Sequence, residues 1–399
     1  MERRERTLFY GGPVITPDGV RVDDWAVAIE GSKIVAAGWY RDIKSVQKSD
    51  ERRINVHGRI IAPGLIDLQI NGAAGKMLTT EPSPETVRAM ASVLPRFGCT
   101  AFLPTVITAP IDRMQAAARA VATVMNEPSN GARVLGSHLE GPFINPARAG
   151  AHQPSFVQVP SVDLLRRLFD DGGQSAVLLT MAPEMPGALE MIDVALDLGM
   201  RVAIGHSIAS FAEANQAAKR GATLVTHLFN AMGQLGSREP GTVGAALAND
   251  ELFVSLIADG VHLHPATLQI AARAKGCARV VLITDAMAPL GTDLHSFDLQ
   301  GETIEVRDGA CYRSDGVLAG SALALNQAVR TMHKLAGVEL HEAIAMASSN
   351  AARAIGHDDV TGSLAPGLDA DLVILNEDLS PWLTLVRGEI RYQAGDLRD

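Results

Sequence analysis

Four acidic or imidazole side chains follow directly after short apolar segments, where a loop residue of no chemical significance would be expected. They are Glu140 in HLEGPF, His206 in GHS, His227 in THLFNAM and Asp285 in TDAM. Carboxylate and imidazole groups, with no cysteine among them, suit zinc or ferrous iron. Two histidines and one glutamate form a known catalytic zinc set that leaves one position open for water. These segments therefore predict a hydrolytic metal site, provided that the fold brings them together.

Eight short apolar segments rich in β-branched residues carry these groups, and helical stretches alternate with them. The segments are IIAPGLIDLQING, GCTAFLPTVIT, RVLGSHLEGPF, SAVLLTMAPE, RVAIGHS, ATLVTHLFN, FVSLIADGVH and RVVLITDAM. Continuous apolar segments are typical of strands covered on both faces, as in a parallel sheet. Eight of them over roughly 250 residues predict a (β/α)8, TIM-like barrel, whose strands all end on the face that carries the chemistry.

Helix signals lie between the predicted strands. Ser83 followed by Pro84 marks one helix start, and Ser210 with Glu213 makes a capping box at another. An open doubly wound sheet is the competing architecture. Its dinucleotide-binding version needs GxGxxG after the first strand, and that motif is missing there.

Both ends of the sequence read as strands joined by turns such as TPDG and EGSK. The economical arrangement is a small β-sandwich domain built from residues 1–60 and 361–399, with the barrel over 61–360. FDLQGETIEVRDGACYRSDGVLAGS predicts a β insertion after the eighth barrel strand, and helices are predicted near 321–336 and 340–354.

Composition excludes several classes of protein. With 35 Lys and Arg against 45 Asp and Glu, the net charge is −10, so a nucleic-acid partner is not expected. No apolar segment approaches the roughly 20 residues that cross a bilayer, and no signal peptide is recognisable. We therefore expect a cytoplasmic protein without a membrane partner. The three cysteines are expected to be buried apolar residues, and any anionic substrate must be held by local donors.

Two further histidines are predicted to be structural. His138 lies two residues before Glu140 and therefore on the same face of its strand, where packing or support of the site is expected. His264 precedes Pro265 at a predicted helix start.

With these residues in view, the chain resembles the amidohydrolase superfamily, and within it the family of N-acetylglucosamine-6-phosphate deacetylases. The segments that carry the resemblance follow the family order over nearly the whole chain. They are APGLIDLQING, HLEGPFINPARAGAH, IGHS, THLFNAM, SREPG, IADGVH, LITDAM, LAGSALALNQAV and GSLAPGLDADLVIL. The resemblance implies an enzyme that removes the acetyl group from a phosphorylated N-acetyl amino sugar.

The same resemblance implies roles for single residues. Glu140, His206 and His227 would bind one divalent metal, with zinc as the expected ion and iron or manganese as alternatives. Asp285 would act as the general base toward the activated water and return the proton to the departing amine. Substrate contacts would come from Ala151, His152, Asn230, Ala231, Arg238, His262, Leu318, Ala319 and Gly320. Arg238 would bind the phosphate in the neighbouring subunit's site, which implies a homodimer.

One departure from the superfamily bears on the number of metals. Many members carry HxH at the end of strand one, where this chain has Gln69 and Asn71. Strand four, with TMAPE, also lacks the lysine that bridges two metals in many relatives. Amides are poor metal ligands beside imidazoles, so one metal is expected, and a weak second metal at Gln69 and Asn71 stays open.

Three alternatives remain at this point. The first is the same reaction on N-acetylgalactosamine 6-phosphate, which differs in the orientation of one hydroxyl. The second is another amidohydrolase, acting on N-acyl amino acids or cyclic amides. The third is a non-catalytic barrel that serves as a scaffold, which the presence of all four site residues disfavours.

Overall fold

The computed structural model describes residues 6–22, 24–45 and 51–395. Within these ranges eight parallel strands form a nearly closed barrel in sequence order, and each pairs with the next. We number them barrel strands one to eight: Leu65–Ile70, Cys99–Ile107, Ser137–Glu140, Ala176–Met181, Arg201–Ile204, Ala222–Val225, Phe253–Ile257 and Val280–Ile283. The predicted (β/α)8 barrel is confirmed, and the doubly wound alternative is wrong.

Hydrogen bonds between the ends of strands eight and one close the barrel. The Asp285 N–H donates to the Gln69 carbonyl at 3.0 Å, and the Asn71 N–H donates to the Ala286 carbonyl at 2.8 Å. One layer below, the Thr284 hydroxyl donates to Asp67 Oδ2 at 2.6 Å. Burial raises the pKa of Asp67 to about 7, although hydrogen bonds from Thr284 oppose the rise. This seam holds the backbone of Gln69 and Asn71 beside Asp285.

Helices pack around the barrel. Those of the barrel region are Pro84–Val93, Ile111–Met125, Val162–Asp171, Ala188–Asp197, Phe211–Lys219, Gly241–Ala248, Pro265–Lys275, Leu325–Lys334, Leu340–Met346 and Ser349–Ile355. Both predicted helix starts are confirmed. Ser83 accepts a hydrogen bond from the Thr86 N–H, and Ser210 with Glu213 forms a capping box. His264 caps its helix by accepting a hydrogen bond from the Ala266 N–H, which agrees with its predicted structural role.

Two local predictions fail. The single helix predicted near 340–354 is two helices, because Ser348 lies between them in a non-helical conformation with φ −143°. The first 60 residues contain the short helix Tyr40–Ser45, where only strands were predicted. Of the three cysteines, Cys99 and Cys311 are buried as predicted, whereas Cys277 is half-buried.

Strands from both ends of the chain form two further sheets. The four-stranded sheet contains Lys33–Trp39, Trp25–Glu30, Arg6–Tyr10 and Glu51–Asn55. The six-stranded sheet contains Glu389–Gln393, Pro381–Val386, Leu372–Leu375, Ile60–Pro63, Val14–Thr16 and Gly19–Arg21. Phe9 and Val27 of the first sheet share an apolar cluster with Ile61 and Leu383 of the second. The small β-sandwich built from both ends is therefore confirmed, while the domain boundaries at 60/61 and 360/361 stay predictions.

The β insertion lies between barrel strand eight and the helix that begins at Leu325. Its antiparallel strands are Ser296–Leu299, Glu302–Arg307, Ala310–Tyr312 and Leu318–Ser321. Ile304 and Cys311 pack with Met287, which follows strand eight, so the insertion is seated on the rim of the barrel. Shorter strands are Gly72–Ala73, Lys76–Met77 and Arg133–Val134.

In the described part of the chain, no helix combines the length and apolar character that crossing a bilayer requires. The expected cytoplasmic location stays a prediction.

The barrel seam generates a stability prediction. Thr284→Val removes the hydroxyl that pairs with the buried carboxyl of Asp67, and leaving such a group unpaired costs about 1–3 kcal/mol. Thr223→Val is the matched control, because the buried Thr223 hydroxyl has no hydrogen-bond partner among the described residues. Urea unfolding is expected to show that loss for Thr284→Val and almost none for Thr223→Val. Equal stability of the two variants would show that the Thr284 hydroxyl does not stabilise the seam.

Candidate active site

A cavity of about 520 Å³ opens at the carboxyl ends of the barrel strands. Most residues that were predicted to form the site line it: Asn71, Glu140, Ala151, His152, His206, His227, Asn230, Ala231, His262, Asp285, Leu318, Ala319 and Gly320. Gln69 lies just beneath the cavity and contacts two of these side chains. The fold therefore gathers around one cavity residues that the sequence spreads over more than 200 positions.

The carboxylate of Glu140 is the centre of this group. His227 Nε2 lies 3.0 Å and His206 Nε2 lies 3.3 Å from Glu140 Oε1, and the two imidazole nitrogens lie 3.2 Å apart. His227 Nδ1 is buried and has no hydrogen-bond partner among the described residues. Two ring nitrogens this close to each other and to one carboxylate oxygen fit ligation of a shared cation, so the residues present fit a divalent metal.

The hydrogen bonds of His206 decide which of its nitrogens can bind a metal. His206 Nδ1 lies 2.8 Å from the Arg148 carbonyl, which can only accept, so Nδ1 carries the proton. Nε2 then presents its lone pair toward Glu140 and His227. Such a second partner is the usual device that orients a metal-binding histidine.

In His152 the proton lies on the other ring nitrogen, Nε2, although the residue is close enough to the site to be considered as a ligand. Glu140, His152 and His206 each offer a ligand atom within 4.8 Å of the others, so distance alone admits His152 as a metal ligand. However, the Thr108 N–H donates to His152 Nδ1 at 3.3 Å, which places the proton of the neutral ring on Nε2. Burial, together with the charge of His206, lowers the pKa of His152 to about 4, so the ring is neutral. His152 Nε2–H is thus a donor facing the cavity, 3.7 Å from Glu140 Oε2.

Two amides, Gln69 and Asn71, lie at the end of barrel strand one. Gln69 Nε2 donates to Glu140 Oε1 at 2.8 Å and to Asp285 Oδ1 at 3.1 Å. Asn71 Nδ2 donates to the same oxygen of Asp285 at 2.7 Å. The Gln69 amide therefore bridges the two carboxylates, and the Asn71 amide gives Asp285 a second donor. This contact supports the expectation of one metal.

The two carboxylates differ in their affinity for protons. Burial alone would raise the pKa of Glu140, but the surrounding imidazoles of His152, His206 and His227 bring it well below its usual range. Burial and the nearby charge of Glu140 raise the pKa of Asp285 to about 6. Glu140 is therefore a permanent anion, whereas Asp285 can accept and release a proton near neutral pH. Such divergent pairs are typical of acid–base sites.

The chain adopts left-handed backbone conformations where the site residues leave their strands. The φ angles are 48° at His206, 33° at His227 and 51° at Asp285, and Phe229 and Ala231 follow at 77° and 50°. For residues other than glycine such conformations cost about 1–3 kcal/mol and persist only where the surrounding structure enforces them. The barrel therefore holds these side chains in place at a cost in stability.

His262 lies on another wall of the cavity and is held by Asp259. Its Nδ1 donates to Asp259 Oδ2 at 2.6 Å, and the other oxygen of Asp259 accepts from the backbone N–H groups of Val261 and His262. These bonds lower the pKa of Asp259 against the effect of its burial. Nε2 is the ring nitrogen left for a substrate.

Leu318, Ala319 and Gly320, in the last strand of the β insertion, line the cavity near Asp285. Gly320 has φ +80°, and a Cβ there would lie 2.8 Å from the Asp285 carbonyl oxygen and 2.7 Å from Met287 Cγ. Only glycine therefore permits this close approach of the strand to the backbone of Asp285. The predicted role of these residues as a cover over the substrate stays a prediction.

Arg238 is the predicted residue that does not reach the cavity of its own chain. It is exposed on the loop after barrel strand six. Sequence reasoning in turn missed Thr108 and Arg148. The segment HLEGPFINPARAGAH contains Arg148, but a single loop arginine carries no signal of its own, and Thr108 becomes visible only through its contact with His152.

His138 lies behind the site, as predicted. It is buried, and its Nε2 lies 2.7 Å from the Thr180 hydroxyl. Burial lowers the pKa of His138 to about 4, so this ring is neutral and structural.

Comparison with known proteins agrees with this geometry. The Amidohydrolase family pattern matches residues 60–391. The chain is 38% identical over 336 residues to the N-acetylglucosamine-6-phosphate deacetylase of Bacillus subtilis (strain 168), covering 84% of this chain and 85% of the relative. It is 37% identical over 333 residues to the N-acetylgalactosamine-6-phosphate deacetylase of Escherichia coli O157:H7, covering 83% and 87%.

A solved structure of a related deacetylase has the same fold as this chain. The crystal structure of N-acetylglucosamine-6-phosphate deacetylase from Pasteurella multocida superposes with a TM-score of 0.90 at 31% identity, covering 96% of this chain and 99% of that one. The barrel, the cluster around Glu140 and these similarities lead to one conclusion: the chain belongs to the amidohydrolase family.

Proposed function

We propose that this protein hydrolyses the acetamide of N-acetyl-D-glucosamine 6-phosphate to D-glucosamine 6-phosphate and acetate. The observation that carries the proposal is the convergence of Glu140, His206 and His227, with Asp285 beside them in the same cavity. A volume of about 520 Å³ lies in the range usual for small-molecule sites. The printed names of the Bacillus and Pasteurella proteins support this choice of substrate.

Glu140, His206 and His227 are the residues that would hold one divalent metal, and zinc is the ion we propose, with iron or manganese as alternatives. Such an ion, when bound, would act as a Lewis acid and lower the pKa of a water to about 7. The donor set of one carboxylate and two imidazoles is that of known hydrolytic zinc sites.

Asp285 carries the proton through the reaction. Its carboxylate accepts a proton from the attacking water and then donates it to the nitrogen of the breaking C–N bond, so that the sugar leaves as a neutral amine. Without this proton the amine is a very poor leaving group. Asn71 and Gln69 orient the carboxylate by donating to its Oδ1.

His152 stabilises the charge that develops on the acetyl oxygen. Its Nε2–H faces the cavity and its Nδ1 is fixed by Thr108, so the donor is oriented before substrate arrives. Removing one donor of this kind usually costs a factor of about 10²–10³ in kcat. Ala151 lies beside it on the cavity wall.

The phosphate group needs cationic and backbone donors at the mouth of the cavity. We assign this role to Asn230 and Ala231 of one subunit and to Arg238 of its partner in a homodimer, and His262 is a further substrate contact. An apolar surface beside Arg238 supports the dimer. It consists of Ile208 and Leu235, on the loops that follow barrel strands five and six, and Phe211, at the start of the helix Phe211–Lys219; they are 50%, 56% and 37% exposed.

A second candidate substrate is N-acetylgalactosamine 6-phosphate, which the printed name of the Escherichia coli relative favours. The two sugars differ in one hydroxyl, and a misplaced hydrogen bond costs about 1–3 kcal/mol. Acetate release from both sugars at matched concentrations tests the proposal. A higher kcat/KM for the gluco sugar supports it, and the reverse order assigns the galacto substrate instead.

Asp285→Asn tests the proton carrier. The amide keeps the shape of the side chain but cannot accept the proton, so kcat should fall by a factor of about 10²–10⁴. Metal content measured by inductively coupled plasma mass spectrometry should stay at the wild-type value. Near-normal kcat would remove Asp285 from the mechanism.

His227→Ala and His152→Ala separate metal ligands from donors. Loss of His227 removes one of three ligands, so the purified variant should hold much less metal than the wild type. His152→Ala should retain the metal and lose a factor of about 10²–10³ in kcat. Retained metal in His227→Ala, together with lost metal in His152→Ala, would instead make Glu140, His152 and His206 the ligand set.

Arg238→Ala tests the contribution of the partner subunit. The variant should raise KM for the phosphorylated sugar far more than for N-acetylglucosamine. If Arg238 acts across the dimer, mixing Arg238→Ala with Asp285→Asn chains should restore activity, because one hybrid site combines Asp285 of one chain with Arg238 of the other. Mixtures no more active than the sum of the separate variants would contradict an action across the dimer.

A further inference from the structure

We propose that Arg148 binds the phosphate of the substrate within its own subunit, as a second cation beside the partner subunit's Arg238. The inference rests on the proposed function, because it takes a phosphorylated sugar as the substrate. It assigns a binding and specificity role to a residue for which neither the sequence motifs nor the mechanism supplied one.

The backbone of Arg148 is fixed at the cavity wall. Its carbonyl accepts the hydrogen bond from His206 Nδ1 at 2.8 Å, so the residue lies directly behind a proposed metal ligand. Two residues later the Gly150 carbonyl accepts from Arg313 Nη1 at 3.1 Å, which ties the loop to the β insertion. These two hydrogen bonds therefore fix the backbone position from which the Arg148 side chain extends.

This loop meets the loop assigned to the phosphate. A Cβ built on Gly150 would lie 3.8 Å from the Cβ of Ala231 and 3.5 Å from His206 Cε1. Arg148 and Ala231 both line the cavity. The end of the cavity that we assign to the phosphate is consequently within reach of an arginine side chain anchored at Arg148.

The negative charge around the cavity would repel a phosphate unless a cation offsets it. Glu140 and Asp285 line the cavity with carboxylates, and the whole chain carries a net charge of −10. Among the described residues that line the cavity, Arg148 carries the only guanidinium or ammonium group. A guanidinium suits this task, because its planar fork binds a phosphate through two parallel hydrogen bonds.

The Arg148 side chain is also available. It is exposed, and no carboxylate of the described chain pairs with it. Arg313, on the same side of the cavity, differs in this respect because its guanidinium is engaged by Glu302 at 3.1 Å and by the Gly150 carbonyl. Arg313 thus holds the loop, and Arg148 is left to bind.

Arg148→Gln tests the proposal with the metal-loaded enzyme. Loss of a charge-assisted contact should raise KM for N-acetylglucosamine 6-phosphate roughly 10–100-fold. The Ki of inorganic phosphate as an inhibitor should rise similarly, while KM for unphosphorylated N-acetylglucosamine should change by less than about twofold. Arg148→Lys, which keeps the charge without the fork, should lie between the wild type and Arg148→Gln.

Arg166→Gln is the matched control, because Arg166 is an exposed arginine on the helix Val162–Asp171, away from the cavity. It should behave as the wild type toward both sugars. Equal changes of KM for both sugars in Arg148→Gln, or no change in either, would overturn the assignment.

Mixed dimers separate the two arginines. Arg148 acts in the subunit that also supplies Asp285, so mixing Arg148→Gln with Asp285→Asn chains should not restore a low KM. A restored low KM would contradict the proposal that Arg148 acts in the same subunit as Asp285. Failure of the proposed function has a different signature, because the wild type would then release no acetate from the phosphorylated sugar.

Discussion

The buried carboxylate of Glu140 must be compensated by its neighbours, since an unpaired charge inside a barrel costs several kcal/mol. Gln69, His206 and His227 all direct nitrogen atoms to the same oxygen, at 2.8, 3.3 and 3.0 Å. Each comes from the end of a different strand, so the barrel must close accurately for these contacts to form. The same requirement brings Asp285 to the opposite side of the Gln69 amide, and the proposed metal site and proton carrier are therefore parts of one polar cluster.

The site residues and the barrel seam have opposite effects on the stability of the fold. Left-handed conformations at His206, His227 and Asp285 lower the stability of the fold, and the seam between strands eight and one contributes hydrogen bonds that raise it. Rigidity of this kind suits a site in which one histidine must present a lone pair and another must present a proton. The tautomers of His206 and His152 are set by hydrogen bonds to the backbone carbonyl of Arg148 and from the backbone N–H of Thr108.

Residue types and strand ends allowed the barrel, the rim and most of the cavity lining to be predicted, because a parallel barrel places the carboxyl ends of all its strands together. The resemblance supplied the separate roles. What could not be predicted depends on contacts between distant segments: Thr108 fixes His152, and the loop with Arg148 lies against Ala231. The interruption at Ser348 escaped the helix prediction because residues 340–355 contain no glycine or proline that would mark it in the sequence.

We propose that a single divalent metal, held around Glu140, suffices for catalysis, because the Gln69 amide bridges the two carboxylates and the Asn71 amide donates to Asp285. Titration of metal-free protein with zinc, followed by the initial rate of acetate release from N-acetylglucosamine 6-phosphate, tests it most directly. The account predicts that the rate rises linearly and saturates at one equivalent per chain. A rate that stays low at one equivalent and saturates only at two would contradict it.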